Sequence, residues 1–438
     1  MTNPTWKIND QLPGWFHSTV QFMSSMRIIK IVKPLMLRTF KIITMKKTLL
    51  ISVGIILLSA VGFTQEGTSA DQKKTDKQEK KEQKAAIKAE KIAQGKFLIT
   101  PLAAPGYTPE LGGLLVIGAL MSFKTNPEDK HIQRSCLPFT ISYTTTNAVV
   151  ANTILSSFWF GDRLRIYGDF WFKDMPDHYW GIGYQNGRDT PKSDSTTAYQ
   201  REWWWINPRF LYQVSDNYFI GLNVDYNYTK GSEPSPGVAS DPNYQSFNDK
   251  PLNSGLGLIL RYDSRDVPVD GRKGLYLDLR ATFYTPAFGG DNKYQIYIVD
   301  YRQYKTIKRE GQTLAWQAKA RIGSGNIPYG EMSQLGTPLD LRGYTWGRFR
   351  DKGMFFFIAE YRHTFLKPDQ SLSKHGAVIW LGSGTIFDKQ SIQENTNGWL
   401  PNFGVGYRFE VQPRMNLRLD YGVGRETSGI YFNFNQAF

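Results

Sequence analysis

Five histidines and one cysteine, Cys136, are the side chains best suited to binding a metal or attacking an electrophile, and neither type is arranged to do so. No histidine stands at metal-ligand spacing from a cysteine or carboxylate. A single cysteine also excludes an intrachain disulfide. Asp263, Arg265 and Asp266 invite a calcium reading but lack the dense oxygen spacing of a loop site; a strand-end turn held by hydrogen bonds fits them better. A hydrolase would need a serine with a histidine base, and neither a Gly-x-Ser-x-Gly elbow nor a convincing pair is present. Glycines fall in strands and turns rather than in phosphate-cradling loops. The expectation is therefore a protein that is not an enzyme, with no cofactor and no metal.

The elements around these residues must then carry the function. The chain has 438 residues, a net charge of +14, 40 glycines, 12 Trp, 24 Tyr and 27 Phe. So many aromatics exclude a wholly disordered chain. A pI near 9.5 suggests nucleic acid at first, but the charge is concentrated near the start. Residues 1–64 hold eight Lys or Arg and one acidic residue, and residues 65–96 hold nine Lys and six acidic residues. Met45, Lys46 and Lys47 precede an apolar run, Leu49 to Phe63, that ends in small residues. That is the layout of a secretory signal peptide, and secretion argues against a nucleic-acid partner. The chain accordingly divides into a mis-called upstream segment (1–44), a signal peptide (45–64), a charged periplasmic leader (65–99) and a β domain (100–438). The leader reads as solvated rather than as a docking helix, since Ile87 and Ile92 are almost its only apolar groups. About 35 residues between cleavage and the first strong strand leave no room for a further periplasmic domain.

After residue 65 no apolar run reaches the ~18 residues of a spanning helix; the period is two. Leu275, Leu277, Leu279, Ala281 and Phe283 alternate with Tyr276, Asp278, Arg280 and Thr282. Leu417, Leu419, Tyr421 and Val423 alternate with Asn416, Arg418, Asp420 and Gly422. Strands between lipid and lumen alternate in this way. Aromatics at segment ends (Phe158 to Phe160, Trp171 and Phe172, Trp203 to Trp205) read as interfacial girdles. Fifteen such segments run from Leu111–Phe123 to the end, and a sixteenth is expected at Tyr179 to Gln185 because single-chain bacterial barrels have even strand numbers. Long connections (186–201, 230–254, 324–352) face short turns on the opposite rim. The fold class is all-β, a transmembrane antiparallel β-barrel of 16 strands in the bacterial outer membrane, with outer-membrane lipid as its surroundings. His363 reads as a hydrogen-bonded lumen residue.

Three stretches carry a resemblance. They are Gly257 to Asp266 with Pro268, Gly271 and Gly274; Leu341, Arg342, Gly343 and Tyr344; and Asn416 to Gly422 with Tyr431, Phe432 and terminal Phe438. In order and strand context they resemble the BamA/TamA family of outer-membrane barrels, the bacterial surface antigen superfamily of assembly and translocation factors. The resemblance implies that Arg342 lies in a long extracellular loop folded into the lumen, five strands before the end. It also implies a carboxylate partner on the barrel wall. Glu360 has the right strand parity, and a buried guanidinium needs such a matched acceptor; Asp263 and Asp420 both remain open as a second partner. Phe432, Phe434 and Phe438 match the family's C-terminal sorting signal. A weak seam is implied between the first and last strands, here Leu111 to Phe123 and Ser428 to Phe438, with Gly112, Gly113 and Gly118 weakening it. The implied function is insertion or export of outer-membrane or surface proteins, with client proteins and a periplasmic or lipoprotein partner, since relatives carry periplasmic POTRA domains. The alternative is a passive channel or structural barrel.

Overall fold

Alternating strands that bury one face in lipid must satisfy every backbone group by pairing, and closure into a barrel is what leaves no edge. The computed structural model of the chain shows that solution, and it describes residues 79, 82–83, 86–108, 111–129, 132–394 and 397–438. The segments 1–44 and 45–64 and residues 65–78 of the leader lie outside the described residues. Sixteen antiparallel strands close in chain order. They are β1 (Leu98–Thr108), β2 (Gly112–Phe123), β3 (Ser135–Thr144), β4 (Val149–Trp159), β5 (Leu164–His178), β6 (Ala198–Ser215), β7 (Tyr218–Ser232) and β8 (Leu252–Asp263). They continue as β9 (Gly274–Tyr284), β10 (Tyr294–Thr306), β11 (Gln312–Gly325), β12 (Gly353–Leu366), β13 (Leu372–Phe387), β14 (Leu400–Gln412), β15 (Met415–Val423) and β16 (Ser428–Phe434).

Strand parity sorts the side chains as alternation requires. Leu258, Leu260, Ile379, Leu381, Phe403 and Val405 point outward and are exposed to lipid, while Asp278, Asp300, Glu360, Arg408 and Asp420 are buried in the lumen. The inward charges pair across strands, for instance Arg261 with Asp278 at 2.6 Å and Arg165 with Asp263 at 2.6 Å. The Asp263 turn is held by hydrogen bonds, with Arg265 Nε donating to Asp263 Oδ1 at 2.8 Å.

Three expectations are corrected. The sixteenth strand is Leu98–Thr108, not residues 179–185. Pro101 and Pro105 hid it, since a proline cannot donate to a ladder and reads as a strand breaker. Both prolines share one parity, so both missing donors fall on the same edge of the strand. Residues 179–185 instead enter the β5–β6 loop, which contains the helix Tyr184–Asp189. Second, the indoles of Trp171 and Trp203 turn inward against Trp346, with ring centroids 5.7 and 5.9 Å away, and Phe158 is also buried. The outward member of the triple, Trp204, stacks on Tyr228 at 5.4 Å. Third, His363 has the outward parity of Phe357 and Tyr361, opposite to Glu360 and Arg362. Its ring lies 5.6 Å from that of Phe365 and 3.1 Å, through Nδ1, from the Tyr361 hydroxyl, so the histidine is hydrogen-bonded as expected but on the outward face rather than in the lumen. Residues 86–93 of the leader are helical and largely exposed, Ile87 included, with the Lys88 ammonium donating to the Val411 carbonyl at 2.7 Å.

Candidate functional site

The 326–352 connection between β11 and β12 folds back over the lumen, and its buried residues are as polar as they are apolar: Glu331, Asp340, Arg342 and Arg350 beside Ile327, Leu335 and Leu341. A loop can enter a barrel only if its backbone and charges find partners there. Arg342 supplies two ion pairs to the wall. Its Nη2 lies 2.5 Å from Glu360 Oε1 on β12, and its Nη1 lies 2.6 Å from Asp420 Oδ2 on β15. Its guanidinium carbon sits 3.7 Å from the Trp380 ring centroid on β13. All three charged side chains are fully buried. Both carboxylates are shared: Arg362 Nε reaches Glu360 Oε2 at 3.0 Å, and Arg408 Nη1 reaches Asp420 Oδ1 at 2.5 Å. The first carboxylate expected from the sequence is thus in place. Of the two candidates for the second, the structure selects Asp420 and leaves Asp263 to Arg165 and Arg265.

Leu341, Gly343 and Tyr344 complete the anchor. Leu341 is fully buried in a core that includes Tyr344 and Phe356. The Gly343 amide donates to the Tyr431 hydroxyl at 2.9 Å, and the Tyr344 hydroxyl donates to the Pro401 carbonyl at 2.7 Å. Asn402 donates to the Arg342 carbonyl at 3.1 Å. Gly343 has φ 111°, and a Cβ there would stand 2.5 Å from the Gly424 nitrogen and 2.6 Å from the Val423 carbonyl carbon. Gly422 leaves matching room, since its own Cβ would meet the Arg342 carbonyl at 2.6 Å. Gly343→Ala therefore meets both backbone strain, worth about 1–3 kcal/mol, and a main-chain clash that no rotamer relieves. The expected outcome is a loop displaced from the wall, read as new protease cleavage within 326–352 on intact cells. An unchanged digestion pattern would show that the close approach is dispensable.

A second anchor was not legible in the sequence. Lys173 on β5 places its ammonium 3.3 Å from the centroid of Trp346 and 5.3 Å from that of Trp203, a cation–π contact between loop and wall. Glu331, a third attachment, accepts from Asn227 Nδ2 at 2.8 Å. Burial first, and then the nearby charge of Asp225, push the Glu331 carboxyl up to about 7. An acid whose folded pKa is raised stabilises docking fully below its ordinary value of 4.5, and that stability is lost as pH rises through about 7. The loop is therefore expected to hold more tightly at pH 6 than at pH 8, and Glu331→Gln should abolish the difference. Proteolysis of the loop at the two pH values tests this; equal rates in the wild type would contradict it.

At the opposite mouth Asn435 adopts φ 59°, and the chain leaves the ladder after Phe434. Of the residues expected to form the sorting signal, Phe432 keeps strand geometry beside outward Ile430, whereas Phe434 packs with Leu120, Cys136 and Met415. Phe438 does not continue the alternation expected for 430–438. It turns into the lumen, where its ring lies 4.9 Å from the Arg362 guanidinium and its main-chain oxygen accepts from Arg362 Nη2 at 2.9 Å. Between loop and tail remains a cavity of about 520 Å3, lined among others by Trp171, Arg209, Arg280, Lys319 and Trp346.

The seam is likewise relocated. β1 pairs with β2 over its whole length, Leu98 to Thr108, but with β16, among the described residues, at Tyr107 and Ile430. Gly112, Gly113 and Gly118 belong to β2 and not to the seam strand. Near the short-turn rim side chains do the closing. Gln412 Nε2 donates to Thr100 Oγ1 at 2.9 Å, the Ser122 hydroxyl donates to Gln412 Oε1, and Asn435 Nδ2 lies 3.7 Å from Cys136 Sγ.

A closed 16-strand barrel with an inward Arg-Gly-aromatic loop and a thinly paired seam is matched by the model of the Omp85 superfamily domain over residues 135–438. The chain belongs to the Omp85 superfamily. It is an outer-membrane β-barrel of a family of assembly and translocation factors. Among solved structures it is similar to BamA from Haemophilus ducreyi lacking POTRA domains 1–3, at 14% identity over 78% of this chain and 69% of that one, with a TM-score of 0.47. It is also similar to CdiB from Acinetobacter baumannii, at 11% identity over 77% of this chain and 59% of that one, with a TM-score of 0.49. For CdiB from Escherichia coli the values are 10%, 77%, 62% and 0.47. This Omp85 barrel thus spans about three fifths of the length of either CdiB chain. No curated protein matches it by sequence.

Proposed function

We propose that this barrel assists the insertion or export of outer-membrane or surface proteins by opening the β1–β16 seam, acting without enzymatic chemistry and together with a periplasmic or lipoprotein partner. The observation that carries this reading is the seam itself. Among the described residues one ladder pair joins β16 to β1, against eleven joining β1 to β2. An edge strand so thinly paired is a template on which an incoming strand can form main-chain hydrogen bonds. Loop 326–352 and the tail support the same route, because Arg342 and Phe438 both occupy the lumen along which a passive channel would conduct.

Depletion of the protein tests the proposal. Folded levels of several outer-membrane proteins, read by heat-modifiable gel mobility, are expected to fall together. Unchanged levels, with conductance from the reconstituted barrel, would favour a channel instead. Co-purification from native membranes is expected to recover the partner.

A further inference from the structure

A residue of an antiparallel strand aims its N–H and C=O at one neighbouring strand, and the next residue aims them at the other. That alternation locates the edge that Pro101 and Pro105 face. On β2 the Gly113 carbonyl accepts from the Thr145 amide at 2.8 Å, so the odd-numbered residues of β2 bond toward β3 and the even-numbered ones toward β1. Gly113 stands opposite Tyr107. Tyr107 therefore turns its backbone groups away from β2 and toward β16, and Ile99, Pro101, Ala103 and Pro105 share its parity. β16 gives the same answer independently. The Asn435 amide donates to the Asn416 carbonyl at 2.6 Å, which assigns the odd-numbered residues of β16 to β15 and leaves Ile430, Phe432 and Phe434 aimed at β1. The two sets meet at Tyr107 and Ile430.

Carried on in that register, Phe432 falls opposite Pro105, Phe434 opposite Ala103 and Gln436 opposite Pro101. The carbonyl of Phe432 then meets a ring nitrogen with no hydrogen to give, and the ring itself obstructs the approach of the strand. Among the described residues no ladder pair follows Tyr107 and Ile430 in this direction, although β16 runs on to Phe434. Pairing with β2 does not suffer, because the even-numbered Thr100, Leu102, Ala104 and Gly106 carry it. Both proline side chains are exposed on the outward face, so neither ring is there to fill the lumen.

We infer that Pro101 and Pro105 are ladder stops that keep β16 from zipping onto β1 between Tyr107 and the short-turn rim. A client strand entering that stretch has no ladder to displace. The client half of this inference rests on the seam-opening reading; the stops themselves stand on backbone geometry.

The test uses the full-length barrel, purified and followed by heat-modifiable gel mobility. Where a proline only stiffens a strand, replacing it by alanine lowers stability through the unfolded chain; where it stops a ladder, the same change raises stability. Pro105→Ala is expected to raise the unfolding midpoint by several degrees. Pro101→Ala alone should not, because pairing that spreads from Tyr107 reaches position 105 first, and the double variant should exceed Pro105→Ala. Hydrogen exchange reads the event directly. The Ala103 amide should exchange faster than those of Leu102 and Ala104 in the wild type and slow roughly tenfold in the double variant. A midpoint that falls or stays unchanged in the double variant, or a wild-type Ala103 amide as protected as its neighbours, would overturn the stops. The wild-type measurement needs no variant to fold. Client levels are read separately: higher midpoints with lowered folded outer-membrane proteins support both stops and seam route, whereas higher midpoints with unchanged levels keep the stops and reject the seam as the route.

Discussion

Glu360→Ala is expected to destabilise the barrel more than Arg342→Ala, although the two residues share one ion pair. The asymmetry follows from the way the arginines share their acids. When Arg342 is removed, Glu360 keeps Arg362 at 3.0 Å and Asp420 keeps Arg408 at 2.5 Å. What is lost is then the anchor of the loop: the two charge-assisted bonds to the wall and the stacking on Trp380. When Glu360 is removed, four buried guanidiniums are left to Asp420 and the terminal carboxylate of Phe438. Breaking a buried pair so that charge stays uncompensated costs about 3–5 kcal/mol, and the rearrangement reaches Arg362, which also holds Phe438. Arg342→Ala should therefore give a folded barrel whose loop is protease-sensitive, and Glu360→Ala a barrel that folds poorly and accumulates at low level. The double variant should be less damaging than the sum of the two, since the residues are coupled. Abundance, gel mobility and unfolding midpoint of all three variants decide this. Equal or reversed effects would mean that the charge balance of the clasp is not what limits folding.

Asn435→Cys is expected to stop the protein from working by locking the seam. The engineered thiol replaces an amide that lies 3.7 Å from the Cys136 sulfur, and Cys136 is the sole cysteine in the chain. Disulfides form in an oxidising periplasm, and although Cys136 is buried the new thiol would stand beside it, so only one cysteine need be introduced. The bond would tie the tail of β16 to β3, across the single ladder pair that joins β16 to β1. The locked protein should fold normally and yet lower folded outer-membrane protein levels as far as depletion does, with recovery on adding reductant. Asn435→Ser, and Asn435→Cys combined with Cys136→Ser, control for loss of the amide. Full activity from a demonstrably oxidised barrel would exclude the seam as the route.

Much of this was legible because a strand between lipid and lumen has a period of two, and parity alone assigns a side chain to one face or the other. Glu360, Arg418 and Asp420 could be placed in the lumen from their neighbours, and the Leu341 to Tyr344 motif could be expected five strands from the end. Parity does not say at what height, or opposite which strand, an inward residue lies. That is why Asp263 and Asp420 stayed equivalent until the barrel closed, and why the sharing of Glu360 and Asp420 among several arginines went unseen. The same gap explains the Trp171 and Trp203 error. Indole rings suit an interfacial girdle and a lumen cation–π site equally well, and only the arrival of Trp346 beside Lys173 separates the two.

The alternation from β2 onward therefore determined a membrane barrel and its polar interior, because both follow from local periodicity and the need to pair every backbone group, while the sixteenth strand came from the even-number rule without its place. Tertiary structure decided the rest. It made the proline-bearing segment Leu98–Thr108 the first strand, and it set the seam at Tyr107 and Ile430. It also chose Asp420 over Asp263 and turned Phe438 from the lipid face into the lumen. Each of these is a contact between residues far apart in the chain, fixed by the register with which the sheet closes on itself, and register is a property of paired strands that no single strand encodes.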